Sequence, residues 1–187
     1  TDGEVPQASG TTLESQDLSA GDIAVIGYGC DDPDKFAILL LTSISGGTDV
    51  NITDNGFNDS GALTTSEGTI TWTVPTGGLK RGTVVTFTYG SSWTVDKGSV
   101  VISSATELDT AGDQIIVYQG KSSSPTFIYA LSTKAWVTSG GITSNTSYCP
   151  TGLTNGTTCL SFTSEQDNGY YNVTPYTGTP AMVLTSI

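Results

Sequence analysis

The sequence predicts an antiparallel β-sandwich, of jelly-roll or immunoglobulin-like type, with about nine or ten strands. Three observations carry that expectation. Short runs rich in Val, Ile, Thr and aromatic residues recur every 8–15 residues or so, with Gly, Asn and Pro turns between them. No segment sustains the 3.6-residue period of an amphipathic helix. Ser and Thr together supply 54 of the 187 residues, a composition that favours strands and turns over helix interiors.

The most apolar run, FAILLL at 36–41, reads as a central strand buried on both faces (Phe36–Ser43). Ahead of it, Gly21-Asp22 opens a first strand, Ile23–Tyr28, followed by the acidic loop CDDPDK. Behind it, the Gly46-Gly47 turn leads to Asp49–Thr53, and an Asx-rich loop follows. Thr69–Val74 alternates cleanly, with Ile70, Trp72 and Val74 on one face. Thr83–Tyr89, Trp93–Val95 and Ser99–Ser103 are further strands. Gln114–Gln119 and Thr126–Leu131 form a hairpin across GKSSSP, and Thr158–Thr163 is a late strand. Asp167–Val173 and the closing PAMVLTSI complete the chain, the latter as a last strand or helical turn. Trp72, Phe87, Tyr118, Phe127 and Tyr129 are the expected core and cross-strand aromatics. Residues 21–187 are thus one sandwich domain, and the polar, aperiodic residues 1–20 an extended arm. The sizeable apolar groups of that arm are Val5, Leu13 and Leu18.

Composition excludes some partners. Eighteen acidic residues against six basic ones give a net charge of −12, the wrong sign for nucleic-acid phosphates or a polybasic membrane contact. No stretch approaches the roughly 20 apolar residues of a membrane span. Several signs point outside the cell. A chain opening TDGEVPQ reads as a processed mature chain. Asn51, Asn58, Asn145, Asn155 and Asn172 each begin an Asn-x-Ser/Thr sequon. Cys149 and Cys159, separated by turn sequence, are placed to form a disulfide. Cys30 is left over, either as a buried thiol or as half of an intermolecular bridge.

The string GDIAVIGYGCDDPDKFAILLL, then GTDVNITDNGF, EGTITWTVPTGGLKRGTVVTF, DTAGDQIIVYQG and PTFIYAL, resembles a β-sandwich module of large secreted bacterial and algal surface proteins, lamin-tail-like in type. The likeness covers about residues 21–131, with a weaker trace in GLTNGTT and DNGYYN. It implies a non-catalytic extracellular module. Its departures are Cys30, Cys149, Cys159 and the N-terminal arm.

The residues themselves offer little chemistry. With no histidine in the chain, Ser-His-Asp and Cys-His nucleophile activation and His-ligated metal sites are absent. Asp54, Glu67 and Asp113 are the carboxylates that paired acid–base hydrolysis would draw on, but nothing in their spacing positions them. Nothing in the sequence requires a cofactor. Asp31, Asp32, Asp34 and Asp54, with Asp59, are the candidate oxygen ligands for Ca2+; in the alternative reading they cap turns and solvate a loop end.

Two functions remain. In the first, the chain is a glycosylated structural subunit, not an enzyme, that assembles with copies of itself into a surface layer or filament, the arm adding as a strand to a neighbour. In the second, it is a carbohydrate-binding module that meets cell-surface glycans with exposed aromatics, the platform being Trp93, Trp136, Tyr170 and Tyr171.

Overall fold

A computed structural model describes residues 15–104 and 106–171. Val5, Leu13, Asn172 and the PAMVLTSI segment lie outside the described residues. Eleven strands follow in chain order: β1 (Ile23–Gly29), β2 (Lys35–Leu40), β3 (Asp49–Thr53), β4 (Thr69–Thr73), β5 (Val84–Tyr89), β6 (Trp93–Val95), β7 (Ser99–Ile102), β8 (Gln114–Lys121), β9 (Ser124–Ser132), β10 (Cys159–Ser161) and β11 (Asn168–Tyr170). They form two packed sheets, β11-β1-β2-β5-β6 and β10-β9-β8-β3-β4-β7, with no helix among the described residues. The predicted sandwich is the observed fold.

Alternation builds the core. In β4 the residues Ile70 and Trp72 are buried while their Thr neighbours are half-covered, the period-2 pattern of a strand with one face inward. Phe87 of β5 stacks on Phe36 of β2 at 4.5 Å and meets Trp72 edge-on at 6.1 Å, so one aromatic cluster joins the two sheets. The Trp72 indole N–H donates to the Lys97 carbonyl at 2.8 Å. The β8–β9 hairpin pairs from Gln114↔Ser132 to Lys121↔Ser124, with a register shift after Val117.

The structure departs from the sequence reading in four places. The FAILLL run alternates: Phe36, Ile38 and Leu40 are in the core, whereas Ala37 and Leu39 are only half-covered. Besides β9, where Ile128–Ser132 are all buried, the strand covered on both faces is β8, where Gln114–Tyr118 are. Its outer face lies under a third, irregular layer. Phe57, Leu63 and Trp136 pack on Ile116, Tyr118 and Ala130, beside Cys159. Backbone bonds Tyr148→Phe57 and Val137→Ser147 tie that layer together. The second departure is β10, which pairs parallel to β9; the long connection at 133–158 supplies the crossover that parallel strands need. The third is β11, a strand of three residues with no alternation to announce it, paired to β1. The fourth is the arm, whose last residues belong to the sandwich. Leu18 is 3% exposed and part of the core. Its N–H donates to Gln119 Oε1 at 2.7 Å, and Gln119 Nε2 donates back to the Gln16 carbonyl at 3.0 Å. Leu18 therefore anchors its own domain and is not available to a neighbour.

Cys149 and Cys159 are disulfide-bonded across a separation of 10 residues and fasten the irregular layer beside β10. Removing the bridge (Cys149→Ser with Cys159→Ser) is expected to cost about 2–3 kcal/mol, the loop-closure value for so short a ring. A urea denaturation midpoint under non-reducing conditions measures it.

Candidate functional site

Loops gather unequally at the two ends of the sandwich. At one end, the β1–β2 loop carries Asp31, Asp32 and Asp34, the β3–β4 loop Asp54, Asp59 and Glu67, the β7–β8 loop Glu107, Asp109 and Asp113, and the β10–β11 loop Glu165 and Asp167. Lys35 and Lys134 are the basic residues there. The turns of the opposite end hold Lys80, Arg81, Lys97 and Lys121, together with Asp17, Asp22, Asp49 and Asp96.

The four Asp residues proposed as Ca2+ ligands do not form one set. Asp31 and Asp32 are exposed, and Asp31 Oδ2 accepts from Asn168 Nδ2 at 2.7 Å. Asp34 is buried and accepts the Leu108 N–H at 2.8 Å, which fixes the middle of the β7–β8 loop. Asp59 sits on an exposed turn. Asp54 turns inward, away from all of these, because Thr53 and Asn55 hold its loop against Gly68: Thr53 Oγ1 donates to the Gly68 carbonyl at 2.5 Å, as does Asn55 Nδ2 at 3.1 Å.

Asp54 instead meets the other two carboxylates singled out from the sequence. Burial pushes Asp54 up to about 8, and the charge of Glu67 adds to the rise. Burial likewise pushes Asp113 up to about 9, with Asp54 and Glu67 contributing. Glu67, half-buried, is pushed up to about 7 by desolvation and by Asp109. Asp113 is well partnered: Oδ1 accepts the Gln114 N–H at 2.7 Å and Oδ2 the Asp109 N–H at 3.0 Å. Among the described residues, no three His, Cys, Asp or Glu side chains stand as a ready-made metal-ligand group. Asp54 and Asp113 are 2% and 1% exposed, too deep to flank a substrate as hydrolytic carboxylates must. Cys30 is a buried free thiol, pushed up to about 12 by burial and by the Asp113, Asp34, Asp167 and Glu165 charges, and so held as an unreactive thiol.

The expected aromatic platform divides. Trp93 is 3% exposed; its indole N–H donates to the Thr106 carbonyl and its ring lies 5.2 Å from Phe36. Trp136 is part of the irregular layer and is buried where that layer packs on Ile116, Tyr118 and Ala130. Their turn-rich surroundings fold back over them, so neither presents a face to a ligand. Tyr170 is 78% exposed, and Tyr171 is half-buried with a hydroxyl that has no partner. Of the sequons, Asn155 is exposed, and Asn58 and Asn145 are half-exposed in loops. Asn51 lies in β3, and its Nδ2 donates to the Gly120 carbonyl at 3.0 Å.

Tyr170 and Tyr171 border a feature the sequence did not reveal. Where β1 and β11 of one sheet face β9 and β10 of the other, the sandwich gapes into a groove of about 400 Å3. Val25, Tyr28, Leu131, Leu160, Phe162 and Tyr170 are among its lining residues. The Tyr28 ring meets Phe162 edge-on at 5.8 Å, and its hydroxyl donates to the Gln166 carbonyl at 3.0 Å. Gly169 allows this closeness, since a Cβ there would stand 2.7 Å from Tyr28 Cε1 and 3.1 Å from Phe162 Cζ. The two strands at its mouth, β10 and β11, are each the outer strand of their sheet. Among the described residues, no further strand pairs along either outer edge.

Comparison of the chain with models of protein families, with curated proteins and with solved structures gives no match.

Proposed function

We propose that the chain is a non-catalytic extracellular structural protein, a glycosylated β-sandwich subunit that assembles with copies of itself into a surface layer or filament. The observation that supports this best is the apolar groove between two short outer strands. An extended segment entering it satisfies free backbone groups and covers apolar side chains in one step. The segment assigned to it is the N-terminal arm of a neighbour, residues 1–14, with Val5 and Leu13 as its apolar anchors. Exchange that passes from one copy to the next does not close on itself and yields a filament. Deletion of residues 1–14 is expected to leave a folded monomer, since the fastening at Gln16 and Leu18 is retained. Light scattering and electron microscopy read the result. Assemblies unchanged by the deletion overturn the arm.

A second reading is favoured by the aromatic character of the same groove. Tyr28, Phe162, Tyr170 and Tyr171 line it, with Asn168 and Ser161 as polar neighbours, a mixture suited to the faces and hydroxyls of a sugar. On that reading Tyr170→Ala abolishes retention on a glycan array while the melting temperature stays unchanged. Retention that survives the substitution removes Tyr170 from the site.

A further inference from the structure

Strand β11 is shorter than the strand it pairs with. β1 runs from Ile23 to Gly29, but β11 covers only Gly27–Gly29 of it. One further bond, from the Tyr171 N–H to the Ile26 carbonyl at 2.8 Å, carries the ladder past the end of β11. Beyond that bond, the outer edge of β1 at Ile23–Val25 has no strand partner among the described residues. That edge needs one. The Leu41 N–H donates to the Asp22 carbonyl at 2.8 Å, which turns the other end of the same planar peptide group, the Ile23 N–H, away from β2. The Ile23 carbonyl faces the same way, because its cross-strand partner Leu40 bonds to Thr83 and Gly82 on the far side. Ile23, Ala24 and Val25 are each 0% exposed, so water does not satisfy these groups. Buried backbone donors and acceptors are paired almost without exception.

Tyr171 stands at this gap, and antiparallel pairing points the chain after it along Val25 toward Ile23. The apolar groove opens at the same place, with Val25, Leu131, Leu160 and Phe162 in its lining. We propose that residues 172–187 cover this corner of their own chain: 172–174 extend β11 along Ile23–Val25, and the remainder closes the groove. Gly169 faces inward, against Tyr28 and Phe162. Alternation then puts Tyr171 and Val173 on the inner side and the sequon residue Asn172 on the outer. Pro175 has no N–H to give and ends the pairing. Residues 176–187 span about 40 Å when extended, enough to turn back over the groove. They bring Ala181, Met182, Val183 and Leu184, an apolar run for an apolar lining. The assignment concerns a lone chain and does not rest on the assembly reading. In an assembly, the arm of a neighbour takes the place of this tail.

Hydrogen exchange and nuclear Overhauser contacts, read by NMR in a dilute solution of the full chain, test the assignment. The Ile23 amide is expected to exchange roughly a hundredfold more slowly than a free amide, and the Val173 methyls to show contacts to Val25 or Leu160. Ending the chain at Tyr171 is expected to remove the protection, and Val173→Asp to reduce it roughly tenfold, while the outward Asn172→Ser leaves it as in the parent. Should the shortened chain fail to fold, Val173→Asp decides. An unprotected Ile23 amide in the full chain, or a Val173 without those contacts, overturns the proposal. So does protection that survives in either the shortened chain or Val173→Asp. Protection that is lost on deleting residues 1–14 and kept without 172–187 also overturns it, and assigns the edge to the arm.

Discussion

The folded state is expected to lose stability steadily as the pH rises from about 4 to about 9. Asp54 and Asp113, pushed up to about 8 and about 9 by burial, keep their protons in the folded chain over a range where the unfolded chain has released them. The folded state therefore binds more protons than the unfolded one, and stability falls with rising pH. The contribution is complete below the ordinary carboxylate value of roughly 4 and is gone above the folded-state values. A tenfold change in proton affinity corresponds to about 1.4 kcal/mol, so each of these two deeply buried groups is worth several kcal/mol. Groups around them act in both directions. Glu67, pushed up to about 7, and Asp34, raised by burial, add to the same trend. Asp109, held below its usual range by the Ala111 N–H and by Asn145, loses stability as the pH falls, but it is exposed and its share is small. Urea midpoints between pH 4.5 and 9 give the profile, and Asp54→Asn is expected to flatten it. A profile that rises toward neutrality, as in most proteins, would contradict the buried acidic arrangement.

Trp93→Ala is expected to cost about 3–5 kcal/mol, the range for emptying a buried aromatic site. The indole packs on Phe36 and Tyr89, and its N–H satisfies the Thr106 carbonyl, which would be left buried and unpaired. Guanidinium denaturation measures the loss. Tyr170→Ala serves as the comparison: its ring is exposed, and a change within about 0.5 kcal/mol is expected. An alanine at 93 that left stability untouched would mean that the turn region is open, as its sequence suggests.

Strands whose side chains alternate are legible from the sequence: TITWT, VVTFTY and the Gln114–Leu131 hairpin all stand within a few residues of where pattern places them. What escapes has a physical cause in each case. Residues 168–170 are too few to carry a period, and only their pairing with β1 makes them a strand. The FAILLL run misleads because its apolar density mimics burial on both faces. A strand covered on both faces, QIIVYQ, is buried by loops distant in sequence. Trp93 is hidden by the β7–β8 loop at Thr106 and Leu108, and Trp136 by its packing on β8 and β9, although the immediate neighbours of both are turn formers. The acidic cluster is a further case. Asp54, Glu67 and Asp113 stand out in the sequence as carboxylates but not as neighbours, because β3 and β8 are adjacent only in the sheet. TDNG at the end of one strand and GDQ at the start of another hold the signal, and reading it requires the strand order.

The uneven placement of charge gives the molecule a sense of direction. With eleven acidic and two basic residues at one pole, and four of each sign at the other, negative charge is concentrated at one end of the sandwich axis. Copies in a row repel one another least when they point the same way, and copies lying flank to flank when they point opposite ways. Since the screening length is about 8 Å at physiological ionic strength, the preference is felt only near contact and fades as salt is added.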